Sequence, residues 1–351
     1  MRPWSHLGGA RSAGGHDGKD SEHAMGQHEE IRILNLEPEG YSPKARRILE
    51  GFAQVVDGPL PQDDLPGEVG KYDCVILRLG YHMDSCAFRA TERLKVIATP
   101  TTGLDHIDVR EAQERGIAVI SLKGETEFLD SVRATSEHTM ALILALIRRL
   151  PWAFDSVRRG KWDRDRFRGG ELFGRTLGIV GLGRVGRHVA GYGQAFGMKV
   201  MGHNGGNPAC LPGVMEVSLE ELLEESEIIT IHVPLSHETE GMLGRREFSL
   251  MRPGAILVNT SRGGIVDEGA LLEALRTGQL SGAALDVLCG EPRYEKSWKV
   301  LPGLLEYAKY QGNLLITPHI GGATNESMER TEVFIAEKIR GFFASSATAL
   351  G

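Results

Sequence analysis

The chain has 351 residues, 41% hydrophobic and 25% charged, with a formal charge of −7 and a pI near 6.0. That balance suits two globular domains and gives no electrostatic footprint for nucleic acid or an anionic membrane. No apolar run is long enough to span a bilayer. Cys74, Cys86, Cys210 and Cys289 stand singly without metal-ligand spacing, so no metal is expected, and reduced thiols in the cytoplasm are.

Residues 1–29 are rich in Gly, Ser and His and nearly devoid of large aliphatics, which predicts a disordered leader. Met25 is the expected native start, because folded-looking sequence begins at Ile31. From there "IRILNLE", "DCVILRL", "LKVIATP" and "GIAVISL" read as short strands, with helices between them near 42–54 and 106–115. Strands alternating with helices predict an α/β fold with parallel sheets. A long helix, "SVRATSEHTMALILALIRRLP", follows, with Pro151 expected to stop it. Further strands are "IITIHVP", "AILVNTS", "GAALDV" and "NLLITPH". The last segment reads as an amphipathic helix, with Met328, Ile335, Ile339 and Phe342 on one face.

Between the halves an apolar strand, Leu177–Val180, runs into Gly181-Leu182-Gly183-Arg184-Val185-Gly186 and then a helix. In that context the glycines serve a tight turn, backbone approach to a pyrophosphate, and close helix–strand packing. The helix N-terminus then offers free N–H groups to the phosphates. The bland alternative is a βα turn needing glycine only for its geometry. The fingerprint also asks for an acid at the end of the next strand, and Asn204 stands there. Asparagine accepts through one oxygen and repels no 2′-phosphate, yet no Arg or Lys follows before Arg245. NAD(H) is therefore the expected cofactor, with relaxed discrimination against NADP(H).

Three polar residues lie just past strands: Arg262 in "VNTSRGGIVDE", Glu291 in "ALDVLCGEP" and His319 in "ITPHIGG". Ligands of open parallel sheets bind outside the carboxyl ends of strands, so all three point to one crevice. Singly they read as a surface cation, a turn acid and a core histidine. Together, on consecutive strand ends after a nucleotide loop, they read as one group, in which a proton donor and a fixed cation can stabilise charge that grows on a reacting oxygen. A carboxylate beside an imidazole favours its charged form and holds its tautomer. Gly321 and Gly322 are expected to let the chain turn into the last helix.

These motifs, with "TTGLDHIDV" at 101–109, "HVPLSHET" at 232–239 and "TPHIGGAT" at 317–324, resemble the D-isomer-specific 2-hydroxyacid dehydrogenase family over roughly 75–340. The resemblance is to the phosphoglycerate dehydrogenase-like branch without a C-terminal regulatory domain. It implies two Rossmann-like domains with the active site in the cleft between them. Residues 30–128 plus 318–343 would form the substrate domain, and 129–317 the NAD-binding domain. By the same resemblance, Arg262 would hold the substrate carboxylate, His319 would be the general acid/base, and Glu291 would hydrogen-bond it. Thr102, Gly103 and Arg78 would also meet substrate. Gly181, Gly183, Arg184, Val185, Gly186, Asn204, His232, Val233, Pro234, Thr239, Thr260, Ser261, Arg262, Asp286, His319 and Gly321 would line the cofactor, Asp286 beside the nicotinamide carboxamide.

The basic, aromatic segment 148–175 is diluted by Asp155, Asp163 and Asp165, and by the resemblance it overlaps an arm near 131–170 where two subunits pair, which implies a homodimer rather than nucleic-acid binding. "LRLGYHMD" keeps Arg78 but departs at Leu79 and Gly80 from the arginine–serine pattern that cradles a phosphate. The stretch 293–312 is longer than is usual for this loop. A small D-2-hydroxy acid or its 2-oxo acid is the expected substrate. A dinucleotide-sensing co-repressor-like scaffold and a phosphite-type dehydrogenase are the alternatives.

Overall fold

A computed structural model describes residues 30–206, 208–291 and 303–348. The expected leader and the proposed start at Met25 lie outside them. Residues Ile31–Gly351 form one unit that holds two parallel sheets. The first contains β1 (Arg32–Asn35), β2 (Gln54–Asp57), β3 (Cys74–Ile76), β4 (Val96–Ala98) and β5 (Ala118–Ile120), in the order β2-β1-β3-β4-β5. The second contains β6 (Thr176–Val180), β7 (Lys199–His203), β8 (Val214–Glu216), β9 (Ile228–Ile231), β10 (Ala255–Asn259), β11 (Leu280–Leu285) and β12 (Leu314–Ile316). Its order is β12-β11-β10-β9-β6-β7-β8.

The central strands are continuous apolar runs because both faces are covered. Every residue of β9 and β10 is buried. The helix Ala134–Ile147 packs on β10, β11 and β12, and the closing helix Asn325–Thr348 returns to β4 and β5 of the first sheet. Ile335, Ala336, Ile339 and Phe343 of that helix join Ile33, Leu49 and Val96 in one core. In the second sheet the strand order reverses between β6 and β9. The loops after β6, β9, β10, β11 and β12 therefore open at one carboxyl edge around a switch point, where open α/β sheets bind ligands.

Four local expectations change. The amphipathic face of the last helix carries Phe343 in the core, while Met328 and Phe342 are half-buried. The short strands β2 and β8 were not anticipated; each is mostly polar or half-exposed and lies at an edge. The long helix ends at Ile147 rather than at Pro151. Arg149 adopts a left-handed backbone, and Pro151 falls in the first turn of a second helix, Leu150–Arg158, where its missing N–H costs nothing. Of the 293–312 stretch, the described part holds a helix, Gly303–Tyr310, whose Leu304 packs into the second core.

Candidate active site

The glycine loop is built by close approach. Gly181 has φ +98°, and a Cβ on Gly186 would lie 2.0 Å from the Gly181 carbonyl oxygen. Gly183 faces open space at the N-terminus of the helix Arg184–Ala195, and no side chain caps that end. A phosphate placed there meets unsatisfied N–H groups and the positive end of the helix dipole. Arg184 does not turn its guanidinium to that space. Its Nη1 donates to the carbonyls of Val132 (2.8 Å) and Leu129 (3.4 Å).

Asn204 is not simply a replacement for the missing acid, since its Oδ1 accepts from the Leu182 N–H (3.0 Å) and braces the glycine loop. Beside it lies a cleft of about 470 Å³ whose lining includes His203, Ser218, Glu216 and Glu221. The two glutamates bring negative charge to the cleft at the end of β7 from ten or more residues beyond the expected position. Glu216 accepts from the Ala209 N–H (2.9 Å) and the Cys210 N–H (2.5 Å). His203 donates through Nδ1 to Val217 O (3.1 Å). These features fit a dinucleotide with free ribose hydroxyls.

The expected contact side chains after β9 and β10 mostly build the loops. Thr239 Oγ1 donates to Pro234 O (2.6 Å), and Ser261 Oγ to Val233 O. The hydroxyls of Thr260 and Thr139 pair at 2.9 Å. Asn259, which sequence reasoning passed over, locks the turn: Nδ2 donates to Arg262 O (2.9 Å) and Oδ1 accepts from the Ser261 N–H (3.0 Å). His232 is driven down to about 3 by burial, and its shielded Nε2 has no hydrogen-bond partner among the described residues. The main chain of His232 packs against Gly181, and an unsatisfied buried polar atom such as its Nε2 fits a ligand that completes it.

Glu291 and His319 come together from adjacent strand ends. His319 Nδ1 lies 2.7 Å from Glu291 Oε2, and Glu291 Oε1 accepts from the Leu288 N–H (2.9 Å). With Nδ1–H given to the carboxylate, Nε2 is the nitrogen that can exchange a proton with a ligand. His319 has φ +54°, which costs about 1–3 kcal/mol for a non-glycine residue. The turn into the last helix, expected of Gly321 and Gly322, thus takes its left-handed residue at the histidine itself. Gly321 is needed for a different reason: a Cβ there would sit 2.9 Å from Asp286 Oδ2, while one on Gly322 meets nothing within 4 Å.

The strain at His319 is held by Asp286. Its carboxylate, 1% exposed, accepts from Ile320 N–H (2.9 Å), Gly321 N–H (2.7 Å) and Thr317 Oγ1 (2.6 Å). His138 Nε2 lies 3.3 Å from Asp286 Oδ1. Burial pulls this carboxyl up, but the bonds from His138, Thr317 and the two N–H groups outweigh it and hold it below the usual carboxylate range. His138 was not singled out from sequence, where it reads as one polar residue in an apolar helix.

Arg262 reaches across to the loop after β4. Its Nε donates to Asp105 Oδ1 (2.9 Å) and its Nη1 to Ser261 O (2.9 Å). A Cβ on Gly103 would lie 1.8 Å from Arg262 Nη2, so only glycine leaves room for the guanidinium. Thr102 beside it is exposed. Burial raises the Asp105 carboxyl, but Arg262 outweighs it and keeps it low. Asp105 lay inside a quoted motif without a role, because nothing in the sequence showed it would face Arg262. Arg78 turns away from this group. Its Nη2 donates to the carbonyls of Glu37 (2.9 Å) and Glu39 (2.8 Å). Among the described residues no cluster of three or more His, Cys, Asp or Glu is arranged to hold a metal ion. No described helix is long and apolar enough to cross a membrane.

Next to Asp105, burial drives the imidazole of His106 down to about 4 and keeps it neutral beside Arg262. The unfolded chain therefore binds more protons than the folded one between about pH 6.5 and 4. Stability is full above 6.5 and falls as pH falls, by about 2 kcal/mol at pH 5 from this ring alone. Urea unfolding at pH 7 and pH 5 should show at least that loss, since buried His232 acts in the same direction, and His106→Gln should shrink the difference by about 2 kcal/mol. An unchanged difference in the variant contradicts it. Gly186→Ala forces the helix off the turn, at about 1–3 kcal/mol. NADH affinity should fall at least tenfold in a fluorescence titration; a wild-type value means the turn is not the phosphate site.

Residues 140–321 match the family described as "D-isomer specific 2-hydroxyacid dehydrogenase, NAD binding domain". The chain is 36% identical over 316 residues to D-3-phosphoglycerate dehydrogenase of Methanocaldococcus jannaschii, covering 88% of this chain and 57% of that protein. It is 35% identical over 286 residues to hydroxypyruvate reductase of Thermotoga maritima, covering 82% of this chain and 90% of that one. Among solved structures, D-lactate dehydrogenase from Aquifex aeolicus complexed with NAD and lactic acid superposes with a TM-score of 0.78 at 31% identity, covering 90% of this chain and 96% of that chain. The chain belongs to the D-isomer-specific 2-hydroxyacid dehydrogenase family. It spans a little over half the length of the phosphoglycerate dehydrogenases it matches.

Proposed function

We propose that the protein is an NAD-dependent dehydrogenase interconverting a small D-2-hydroxy acid and its 2-oxo acid. The observation that carries this is the His319–Glu291 pair at 2.7 Å, set at the carboxyl edge that also bears Arg262 and the glycine loop. Residues 30–128 plus 318–343 form the substrate domain and 129–317 the cofactor domain. Gly181, Gly183 and Gly186 hold the pyrophosphate with the N–H groups of the following helix, and Glu221 favours NAD(H) over NADP(H) at the ribose.

The bound nicotinamide supplies or receives the hydride. Arg262, aimed by Asp105 and Ser261, holds the substrate carboxylate together with the main chain at Thr102 and Gly103. In reduction, the Nε2–H of protonated His319 donates its proton to the carbonyl oxygen as charge develops there. In oxidation, neutral Nε2 removes the hydroxyl proton. Glu291 keeps the Nδ1 proton in place in both directions, and Asp286 fixes the turn that presents the ring. NADH-driven reduction of a 2-oxo acid should give the D-hydroxy acid on a chiral column; an L product or a racemate contradicts the reading.

The protein acts as a cytoplasmic homodimer in this reading. Leu150, Phe154 and Val157 share one face of a short helix at 50–65% exposure, and Trp162 (89%) and Phe173 (79%) are barer still. Such an apolar group fits a second copy better than water. Free Cys86, Cys210 and Cys289 at the surface suit a reducing compartment. Sedimentation at micromolar concentration should give twice the chain mass, and a monomer sinks the dimer.

A further inference from the structure

Next to the Gly103 loop lies the turn after β3, where two main-chain N–H groups converge on a carboxylate of the protein itself. Glu37 Oε2 accepts from Arg78 N–H and from Gly80 N–H (3.3 Å). Gly80 is what lets it sit there, since a Cβ at that position would lie 2.9 Å from Glu37 Oε1. Converging N–H groups in a turn form an anion-binding concavity, and here Glu37 fills it.

Arg78 locks that carboxylate in place. Its Nη2 bonds to the carbonyls of Glu37 and Glu39, its Nε lies 3.8 Å from Glu37 Oε1, and its Nη1 lies 3.5 Å from Glu332 Oε1. Glu332, only 1% exposed, comes from the closing helix and also accepts from the Ser42 N–H (2.6 Å). The cation of this turn therefore faces two carboxylates and carries no surplus positive charge for a ligand. Glu37 follows β1, Arg78–Gly80 follow β3 and Gly103 follows β4, and these strands are consecutive neighbours. The loop that carries the filled concavity and the loop that packs on Arg262 thus leave neighbouring strands at the same carboxyl edge.

Resting on the dehydrogenase reading of the cleft, we propose that the far end of a short acid held by Arg262 reaches this turn and that Glu37 is a specificity-determining residue. Seated on the Arg78 and Gly80 N–H groups, it restricts the substrate to 2-oxo and 2-hydroxy acids with an uncharged far end and rejects those bearing a terminal phosphate. This separates the chain from the phosphoglycerate dehydrogenases it resembles in sequence. A phosphate reaching the turn meets a fixed like charge and finds its N–H donors taken.

The test compares hydroxypyruvate with phosphohydroxypyruvate in the wild type, Glu37→Gln and Glu37→Ala. The wild type should favour hydroxypyruvate in kcat/KM by at least tenfold. Glu37→Gln, which keeps the shape and removes the charge, should narrow that ratio at least tenfold, and Glu37→Ala further. Wild-type preference for the phosphorylated acid, or a ratio unmoved in both variants, overturns the proposal. If no 2-oxo acid is reduced, the dehydrogenase reading fails separately, and calorimetric titration of D-glycerate and D-3-phosphoglycerate into the NAD-saturated protein decides the role of Glu37. Phosphoglycerate binding that appears only on removing the charge supports it. Phosphoglycerate binding to the wild type, or to none of the three proteins, overturns it. Should Glu37→Ala fail to fold, Glu37→Gln alone decides.

Discussion

His319→Ala should lower kcat for NADH-driven reduction of a 2-oxo acid by two to four orders of magnitude while leaving NADH affinity within a few fold. A positioned general acid contributes about that range, equivalent to about 3–5 kcal/mol of barrier. The ring is placed for one task. Its Nδ1 is tied to Glu291, its backbone is held in a left-handed bend, and its N–H donates to Asp286 O (2.9 Å). Alanine is no better suited to that left-handed bend than histidine, so the variant keeps the strain, loses the contact with Glu291 and should melt slightly below the wild type. Thermal melting beside the kinetics separates the two effects. A variant that melts near the wild type but turns over slowly has lost chemistry. Glu291→Gln should sit between them, since the amide oxygen still accepts from Nδ1–H but without full charge.

Arg262→Lys should be nearly as damaging as Arg262→Ala, each costing at least a hundredfold in kcat/KM. Lysine keeps the charge, but only the planar fork bonds Asp105 through Nε and Ser261 O through Nη1 while Nη2 lies over Gly103. A single ammonium cannot make those contacts and meet a carboxylate as well. Most of the loss should appear in KM if Arg262 acts on the ground state, and in kcat if it also polarises the carbonyl. Asp105→Asn keeps the shape and weakens the clamp, so its loss should be smaller and of the same kind. Steady-state kinetics of the three variants check the order; a Lys variant near wild type contradicts the clamp.

The sequence was informative where one residue type serves one geometry. Gly181 and Gly186 announced the turn because no side chain fits there, and Arg262, Glu291 and His319 announced themselves by lying past apolar strands. What could not be read was which partner each group finds. Asp105 and Arg262 are 157 residues apart, and Ser42 and Glu332 are 290 apart. Only the docking of loops from both sheets, and of the closing helix onto the first, creates those contacts. Asn204 shows the same limit, since it stands at the end of β7 as the spacing expects while its oxygen serves the glycine turn. The glycines near His319 were read for flexibility, but one serves a close approach to Asp286 and the histidine takes the bend. Edge strands β2 and β8 escaped because half-exposed strands lack the apolar run that marks the centre of a sheet.

The most direct test of the account is NADH oxidation by the purified protein against pyruvate, glyoxylate, hydroxypyruvate, 2-oxoglutarate and phosphohydroxypyruvate, with His319→Ala alongside and NADH binding measured in both. Turnover is expected with at least one acid lacking a terminal phosphate, lost at least a hundredfold in the variant while NADH still binds. NADH binding with no acid reduced, or turnover that survives in the variant, would contradict it.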